Sequence, residues 1–562
     1  MSCEAPALLL LLAQLCFGAP DTRQPASVIL ISVDTLRADH LSCYGYKRIR
    51  TPNIDSLAQG GTLFSAIDAQ APLTLPSHTS LFTSTYPFQN HIEENAERVP
   101  NGVTTLASIL QAHGYKTAAF IGSVFLERQL GLDQGFEYYD SPFNFEAFSP
   151  MSGSVFLGAA GRTPYSGRDR RAGALVIASA KRWLAANQGQ PTFVFVHLFD
   201  MHKPYRLPPS AARKPGESEY DAQLENVDGL IGAFKQELIR SGWWDRSLVV
   251  FLSDHGESLD EHGESSHGYF VYQSTLWVPL ILHWPSSGGA HQERVDRPAG
   301  LIDVAPTIVD YLGIPTPASF SGRSLLKEDG APRPVYSESL YVHDSFGWSP
   351  LRSIRLGSYQ YIHAPRPELY DLNADPREHR NLFNANSVKA MELRRQLAKI
   401  LAGSDPQKPP SPGSVSPQTR ALLTSLGYLS GGPASGSAPN ADPKDRLAEY
   451  SEYERAQVAL VQRNLSQAIA ILRDIARHDP RNLLALRDLA GCYLDRHMDE
   501  QARATFERVV AASPEDYPSQ FQLGIADERL GRLQEARAHL QIACGLAPGA
   551  TQCQKELRAV GR

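Results

Sequence analysis

The sequence predicts an α/β domain built on a large, mostly parallel sheet, followed by an all-α repeat array. Three observations carry that expectation. Between residues 27 and 403, apolar runs of strand length alternate with amphipathic helical stretches, the pattern of a sheet covered by helices. Three of those runs, SVILISV, TFVFV and SLVVFLS, lead directly into Asp or His residues. Towards the C-terminus, marker residues recur at a fixed interval of 34.

With 562 residues, the chain is too long for one ordinary domain. Its 42% hydrophobic and 20% charged content describes a globular protein with ample core. A net charge of −6 spread over this length leaves no basic footprint for nucleic acid and no polybasic membrane patch. The apolar stretch 7–17 is too short to span a bilayer but fits a signal-peptide core, so residues 1–19 read as a leader cleaved after Gly18 or Ala19. Cleavage implies an exported protein, periplasmic or extracellular; retention implies a cytoplasmic one. No other stretch reads as a transmembrane helix. Six cysteines without CxxC spacing argue against a disulfide framework and against a Cys-type zinc site.

In the C-terminal array, Ala468, Ala502 and Ala536 share the 34-residue period with Leu472, Phe506 and Leu540 and with Pro480, Pro514 and Pro548. This resembles tetratricopeptide (TPR) repeats over 444–562, in which the small residue lets paired helices pack closely and the Pro closes each unit. Such repeats imply a protein or peptide partner. The stretch 404–443 holds QKPPSPGSV and SGGPASGSAPNADPK, rich in Pro, Gly and Ser, and reads as a flexible linker around one short helix.

The functional signal lies where strands end. SVILISV ends at Asp34, TFVFV runs into His197, Asp200 and His202, and SLVVFLS ends at Asp254 and His255, with His262 and His267 beyond. Open α/β sheets bind ligands beyond the carboxyl ends of their strands, and Asp and His delivered there by three strands suit a metal. Asp34 alone fits a helix cap equally well. His197 reads as core, Asp200 as either an orienter of His202 or a ligand, and His262 as either a second-site ligand or a turn cap. Arg37 fits an ion pair or, with His40, substrate binding. In APLTLPSHTSLFTSTYP a helix is expected to start at Pro76–Ser77, placing Thr74 just before its N-terminus. A hydroxyl there, beside a cation that lowers its pKa, suits nucleophilic attack on an oxyanion ester, whereas Ser77 reads as a cap.

SVDTLRADHLSCYGY, TPNIDSLAQGG, LTLPSHTSLFTSTYP, HLFDMHKPY, SDHGESLDEHG, GLIDVAPTIVDYLGIP and ELYDLNADPREHRNL occur in this order. Together they resemble a sulfatase-family member of the alkaline phosphatase superfamily. The resemblance implies a large sheet sandwiched by helices with a smaller C-terminal sheet over 27–403. It also implies attack on a phosphate or sulfate ester through a covalent intermediate. Carried over by position, Asp34, Asp254 and His255 are metal ligands and Thr74 is nucleophile and ligand. Asn95, His202 and His267 match substrate-contacting positions, the resemblance places a second cation near His202 and His267, and Asp200 and His262 are candidates to join it.

The departures from the family pattern redirect the chemistry. Where sulfatases carry a Cys or Ser within C-x-P-x-R, this chain has Thr74-Leu75-Pro76-Ser77-His78, so no formylglycine is expected and an Arg is missing. The paired Asp becomes Asp34-Thr35, and G-K-W-H becomes Gly122-Ser123-Val124-Phe125. Losing these cations favours a phosphate ester, mono- or diester, over a sulfate. Losing an Asp while keeping His255 favours Zn²⁺ or Mn²⁺ over Ca²⁺. The rival readings are a true sulfuric ester hydrolase, a phosphoryl head-group transferase and a dead hydrolase domain serving as a TPR scaffold. The stretch 139–171 reads as a substrate loop.

Overall fold

The computed structural model describes residues 26–95, 97–143, 170–208, 213–286, 293–327, 332–402, 441–546 and 551–561. The leader expected over 1–19, residues 144–169 of the expected substrate loop and the linker up to residue 440 lie outside them.

A nine-stranded sheet organises the N-terminal part. Its strands are β1 (Ser27–Val33), β2 (Thr62–Asp68), β3 (Lys116–Phe120), β4 (Tyr138–Asp140), β5 (Thr192–Leu198), β6 (Ser247–Leu252), β7 (Trp277–His283), β8 (Arg294–Val295) and β9 (Ala299–Gly300). The spatial order is β4-β3-β5-β1-β6-β7-β2-β8, with β9 also on β2. All pairings are parallel except the two that β7 makes with β6 and β2. The central strands read as unbroken apolar runs because both faces are covered. Val28, Leu30, Phe193, Phe195, Leu248 and Val250 pack into one layer. Ile29, Ile31, Val33, Val194, Val196, Val249 and Phe251 pack into the other.

Register then sets the site. Val33 pairs with Leu198 and Ser32 with Leu252, so the residues just past β1, β5 and β6 emerge side by side at one edge. The smaller sheet is antiparallel: β10 (Val335–Ser339), β11 (Leu351–Leu356), β12 (Tyr359–His363) and β13 (Glu368–Asp371). The helix Ser387–Ala402 covers it through Ala390, Leu393 and Leu397.

The C-terminal array forms three helix pairs, Leu447–Val461 with Leu465–His478, Leu483–Asp495 with Asp499–Ala512, and Tyr517–Arg529 with Leu533–Leu546, closed by Thr551–Val560. Ala468, Ala502 and Ala536 are fully buried on the second helix of each pair. At the third pair a Cβ on Gly524 would sit 2.7 Å from Leu540 Cγ and 3.2 Å from the Ala536 carbonyl, so the close approach requires glycine.

Two expectations need correction. The joining stretch lies outside the described residues, but the array beyond it packs against the α/β part: the Tyr450 ring lies tilted 4.3 Å from that of Tyr269, and Phe346 lies 5.8 Å from Tyr453. These aromatic anchors stand on separate segments, so linker composition carried no sign of the docking. Cys544 and Cys553 are also joined in a disulfide across nine residues. That pairing arises because the last two helices fold back on each other, a juxtaposition that spacing rules for CxxC motifs do not detect. Among the described residues, no helix is long and apolar enough to cross a membrane.

Candidate active site

The turn after β1 carries Asp34, whose amide continues the ladder by donating to the Leu198 carbonyl at 2.9 Å. Thr35 follows with φ of 55°, an unfavourable conformation for a β-branched residue that bends the chain at once. Ser253 binds this turn to the one after β6: its hydroxyl accepts from the Leu36 amide at 2.9 Å and donates to the His255 carbonyl at 2.7 Å. Asp254 and His255 are thereby held against Asp34, and all three are fully buried.

Their donor atoms form a cation cradle. One ligand atom from each of Asp34, Asp254 and His255 lies within 4.8 Å of the others. Asp34 Oδ1, both Asp254 oxygens and His255 Nε2 are buried with no hydrogen-bond partner. His255 Nδ1 lies 2.9 Å from the Gly256 carbonyl. A carbonyl only accepts, so the proton sits on Nδ1 and the Nε2 lone pair is left for a metal. Burial pushes Asp34 up to about 6, while His255 and Thr74 pull it back. Asp254 is also raised, first by burial and then by the charge of Asp34. Two desolvated carboxylates and an imidazole nitrogen converging on one buried point fit a divalent cation.

Thr74 meets this cradle from the opposite layer. The helix Thr74–Thr83 begins at Thr74 itself, two residues earlier than expected. Proline is tolerated throughout a first turn, so Pro76 did not mark the start; the first helical bond runs from the Ser77 amide to the Leu73 carbonyl at 3.0 Å. Thr74 Oγ1 donates to Asp34 Oδ2 at 3.2 Å. Ser77 does not cap; its hydroxyl donates to the Asp254 carbonyl at 2.6 Å and locks helix to strand end. Asn95 Oδ1 accepts the Leu75 amide at 2.8 Å, so its Nδ2 donor is turned the other way, buried and without a partner.

A row of imidazoles extends from the cradle. His255 and His267 rings lie 4.5 Å apart, and His267 and His202 rings 5.0 Å. His202 Nδ1 sits 2.6 Å from the Lys203 carbonyl, its ring stacks on Phe199, and burial holds it well below the ordinary histidine range. His267 Nδ1 lies 3.3 Å from Glu257 Oε1.

The four residues expected around a second cation do not converge. Asp200 accepts the Gly173 amide through both oxygens, at 3.1 and 2.9 Å, and so caps the helix Gly173–Ala186. His262 stacks at 3.7 Å on Tyr272 and contacts the Arg377 carbonyl at 3.2 Å. Proximity in sequence to Asp254 had suggested His262, but the loop turns it outward. Arg37 is a structural ion pair with Asp39 and Glu261, and His40 is bound to Asp221 at 2.8 Å.

Three residues here escaped sequence reasoning. His78, where the family pattern has Arg, sits under the cradle with Nε2 3.0 Å from Ser32 Oγ and Nδ1 2.8 Å from the Thr74 carbonyl. Burial pushes it down to about 4, so it is neutral near pH 7. His197, read as core, is indeed fully buried, but Nε2 lies 3.5 Å from Asp34 Oδ2 and neither ring nitrogen has a partner. Glu257 is fully buried against His267; its place in SDHGES, three past Asp254, was the available signal. At the G-K-W-H position, Val124 and Phe125 are buried core, and the Ser123 hydroxyl accepts the Phe125 amide.

A family model described as Sulfatase matches residues 26–314. The chain belongs to the sulfatase family. It is a hydrolase of the alkaline phosphatase superfamily. A second model, N-sulphoglucosamine sulphohydrolase C-terminal, matches 261–404, and tetratricopeptide repeat models match 459–523 and 500–551. Human arylsulfatase D is 25% identical over 425 residues, covering 57% of this chain and 71% of that one. A multifunctional alkaline phosphatase superfamily protein of Trinickia caryophylli is 32% identical over 193 residues, covering 31% and 37%. Among solved structures, the phosphonate monoester hydrolase of Agrobacterium radiobacter matches with a TM-score of 0.54 at 21% identity, covering 67% of this chain and 96% of that one. These matches place sulfatases and a phosphonate hydrolase on the same fold.

Proposed function

We propose that this chain is a metal-dependent phosphoester hydrolase in which Thr74 is the nucleophile. The observation that carries the reading is that Thr74 Oγ1 donates to Asp34 beside the orphaned oxygens of Asp34 and Asp254, at a buried helix start whose Leu75 amide is held by Asn95, itself left with an unpartnered Nδ2. A divalent cation bound by Asp34, Asp254 and His255 would supply Lewis acidity, lowering the pKa of the hydroxyl and neutralising ester charge. The Thr74 hydroxyl hydrogen-bonds to Asp34 Oδ2, which turns its oxygen lone pairs towards an incoming ester, and its proton passes to water on attack while Asp34 stays ionised. Attack at phosphorus forms an O-phosphothreonine and breaks the bond to the leaving oxygen. Asn95 Nδ2 donates to a non-bridging oxygen, and the first turn of the helix Thr74–Thr83 adds its positive dipole end. With their Nδ1 atoms turned to the Lys203 carbonyl and to Glu257, His202 and His267 leave Nε2 lone pairs to orient a water that protonates the leaving oxygen, and water then releases the phosphate from Thr74.

The preference for phosphorus is supported by the cations that are missing. His78 is neutral with both nitrogens engaged, and Ser123, Val124 and Phe125 offer no charge. Thr74 lacks the second hydroxyl that a formylglycine hydrate uses to expel sulfate. The sulfatase reading is favoured by relatives such as arylsulfatase D. The Cys544–Cys553 disulfide supports an exported protein, since such bonds persist in oxidising compartments.

Initial rates on p-nitrophenyl phosphate, bis-p-nitrophenyl phosphate and p-nitrophenyl sulfate test the assignment, with Zn²⁺, Mn²⁺ or Ca²⁺ restored after chelation. Turnover of a phosphate ester that needs Zn²⁺ or Mn²⁺ and disappears in Thr74→Ala is expected. Turnover of the sulfate alone would establish the sulfatase reading instead.

A further inference from the structure

The loop 258–270 links two regions. Its inner end carries His267, facing His255 and His202. Its outer end lies against the first helix of the repeat array, Leu447–Val461. The Ser265 hydroxyl lies 2.9 and 3.0 Å from the two Glu454 carboxylate oxygens. The Ser265 carbonyl accepts the Lys203 ammonium, and Lys203 directly follows His202. Four residues further on, the Tyr269 hydroxyl donates to the Pro443 carbonyl at 2.6 Å, and its ring packs on Tyr450. Leu447 closes the other side, where a Cβ on Gly263 would lie 2.4 Å from its Cδ2. The loop is also knotted to itself: the buried Glu264 carboxylate accepts the Tyr269 amide at 2.8 Å, and the Ser258 amide reaches the Ser266 carbonyl at 2.7 Å.

We propose that the repeat array is a built-in wall of the active site and that Glu454 is a positioning residue for the His202–His267 pair. Glu454 fixes Ser265, and Ser265 fixes both the backbone two residues before His267 and the ammonium next to His202. A repeat array serving only as a tethered adaptor has no use for a buried aromatic seam and a carboxylate aimed at this loop. The metal cradle is independent of the clamp, because Asp34, Asp254 and His255 are held by β1, β6 and Ser253.

The kinetic arm of the test rests on the proposed ester hydrolysis; the exchange arm does not. In the full-length chain, Glu454→Ala and Ser265→Ala should each lower kcat/KM about tenfold, mainly through kcat, since loosened geometry degrades a positioned group steeply. The double variant should be no worse than either single one, because both remove one contact. Glu454→Gln should retain most activity, its amide oxygen accepting the same hydroxyl. Amide hydrogen exchange over 258–270 should accelerate in both alanine variants, while Arg477→Ala, on the exposed outer side of the array, leaves it unchanged. Additive losses, unchanged exchange in 258–270, or a lower Tm with kcat/KM preserved would overturn the proposal. If the wild-type chain turned over no ester, the exchange arm would decide alone.

Discussion

Two buried clusters share Asp254, and they differ in what their lone pairs are doing. Asp34, Asp254 and His255 present oxygens and an Nε2 without partners. His78, His197 and Asp254 lie as close together, yet His78 has spent Nε2 on Ser32 and Nδ1 on the Thr74 carbonyl. Residue type and distance are the same kind in both. What separates a metal cradle from a structural knot is whether hydrogen bonds have already used the donors. His197 stands between them, with free nitrogens beside Asp34.

The comparison is broken most severely at its shared member. Asp254→Ala should reduce turnover by at least about a thousandfold, because members of one nucleophile–metal unit fail together. Metal content, measured by elemental analysis after dialysis, should fall with it. Separating the clusters gives a smaller, sharper effect. His255→Ala should weaken metal binding by about a hundredfold, while His78→Ala leaves it within about threefold and costs about 1–3 kcal/mol of stability by stranding its partners. Chelator competition and chemical denaturation, run in parallel, read the two quantities. Equal loss of metal affinity in both variants would erase the distinction.

A pH experiment probes the cradle without mutation. Asp34 is raised from 3.8 to about 6 in the metal-free fold. Between those values the native state binds more protons than the unfolded chain, so Asp34's own contribution to metal-free stability declines as pH rises through the window. A bound cation needs that carboxylate ionised and reverses the preference. The rise in Tm on adding Zn²⁺ should therefore be larger near about pH 7.5 than near about pH 5. An equal rise at both would contradict a protonated Asp34. The smallest effect belongs outside the cradle: Asp200→Ala should cost about 1 kcal/mol, the worth of a helix cap, and leave kcat and metal affinity unchanged.

The sequence made the strand-end residues readable because parallel register forces β1 and β6 to finish at one edge. The 34-residue period likewise revealed the array, since Ala468, Ala502 and Ala536 each need a small side chain at the same seam. Local rules failed where function depends on contacts between distant segments. Sequence proximity leaves Asp200 and His262 open as ligands or as structural residues, and a helix amide and an aromatic ring claim them. His78 looked like a lost Arg, and the Ser32 hydroxyl 46 residues away gives it a structural role. The docked array was invisible because Tyr269, Tyr450 and Glu454 carry no spacing that links them.

The central claim is the identity of the nucleophile. Rapid acid quench during turnover of a phosphate ester, followed by mass spectrometry of the peptide containing Thr74, tests it directly. A phosphoryl group on Thr74, absent from the Thr74→Ala chain, is the predicted result. No adduct at Thr74, with the alanine variant retaining turnover within about tenfold of wild type, would contradict it.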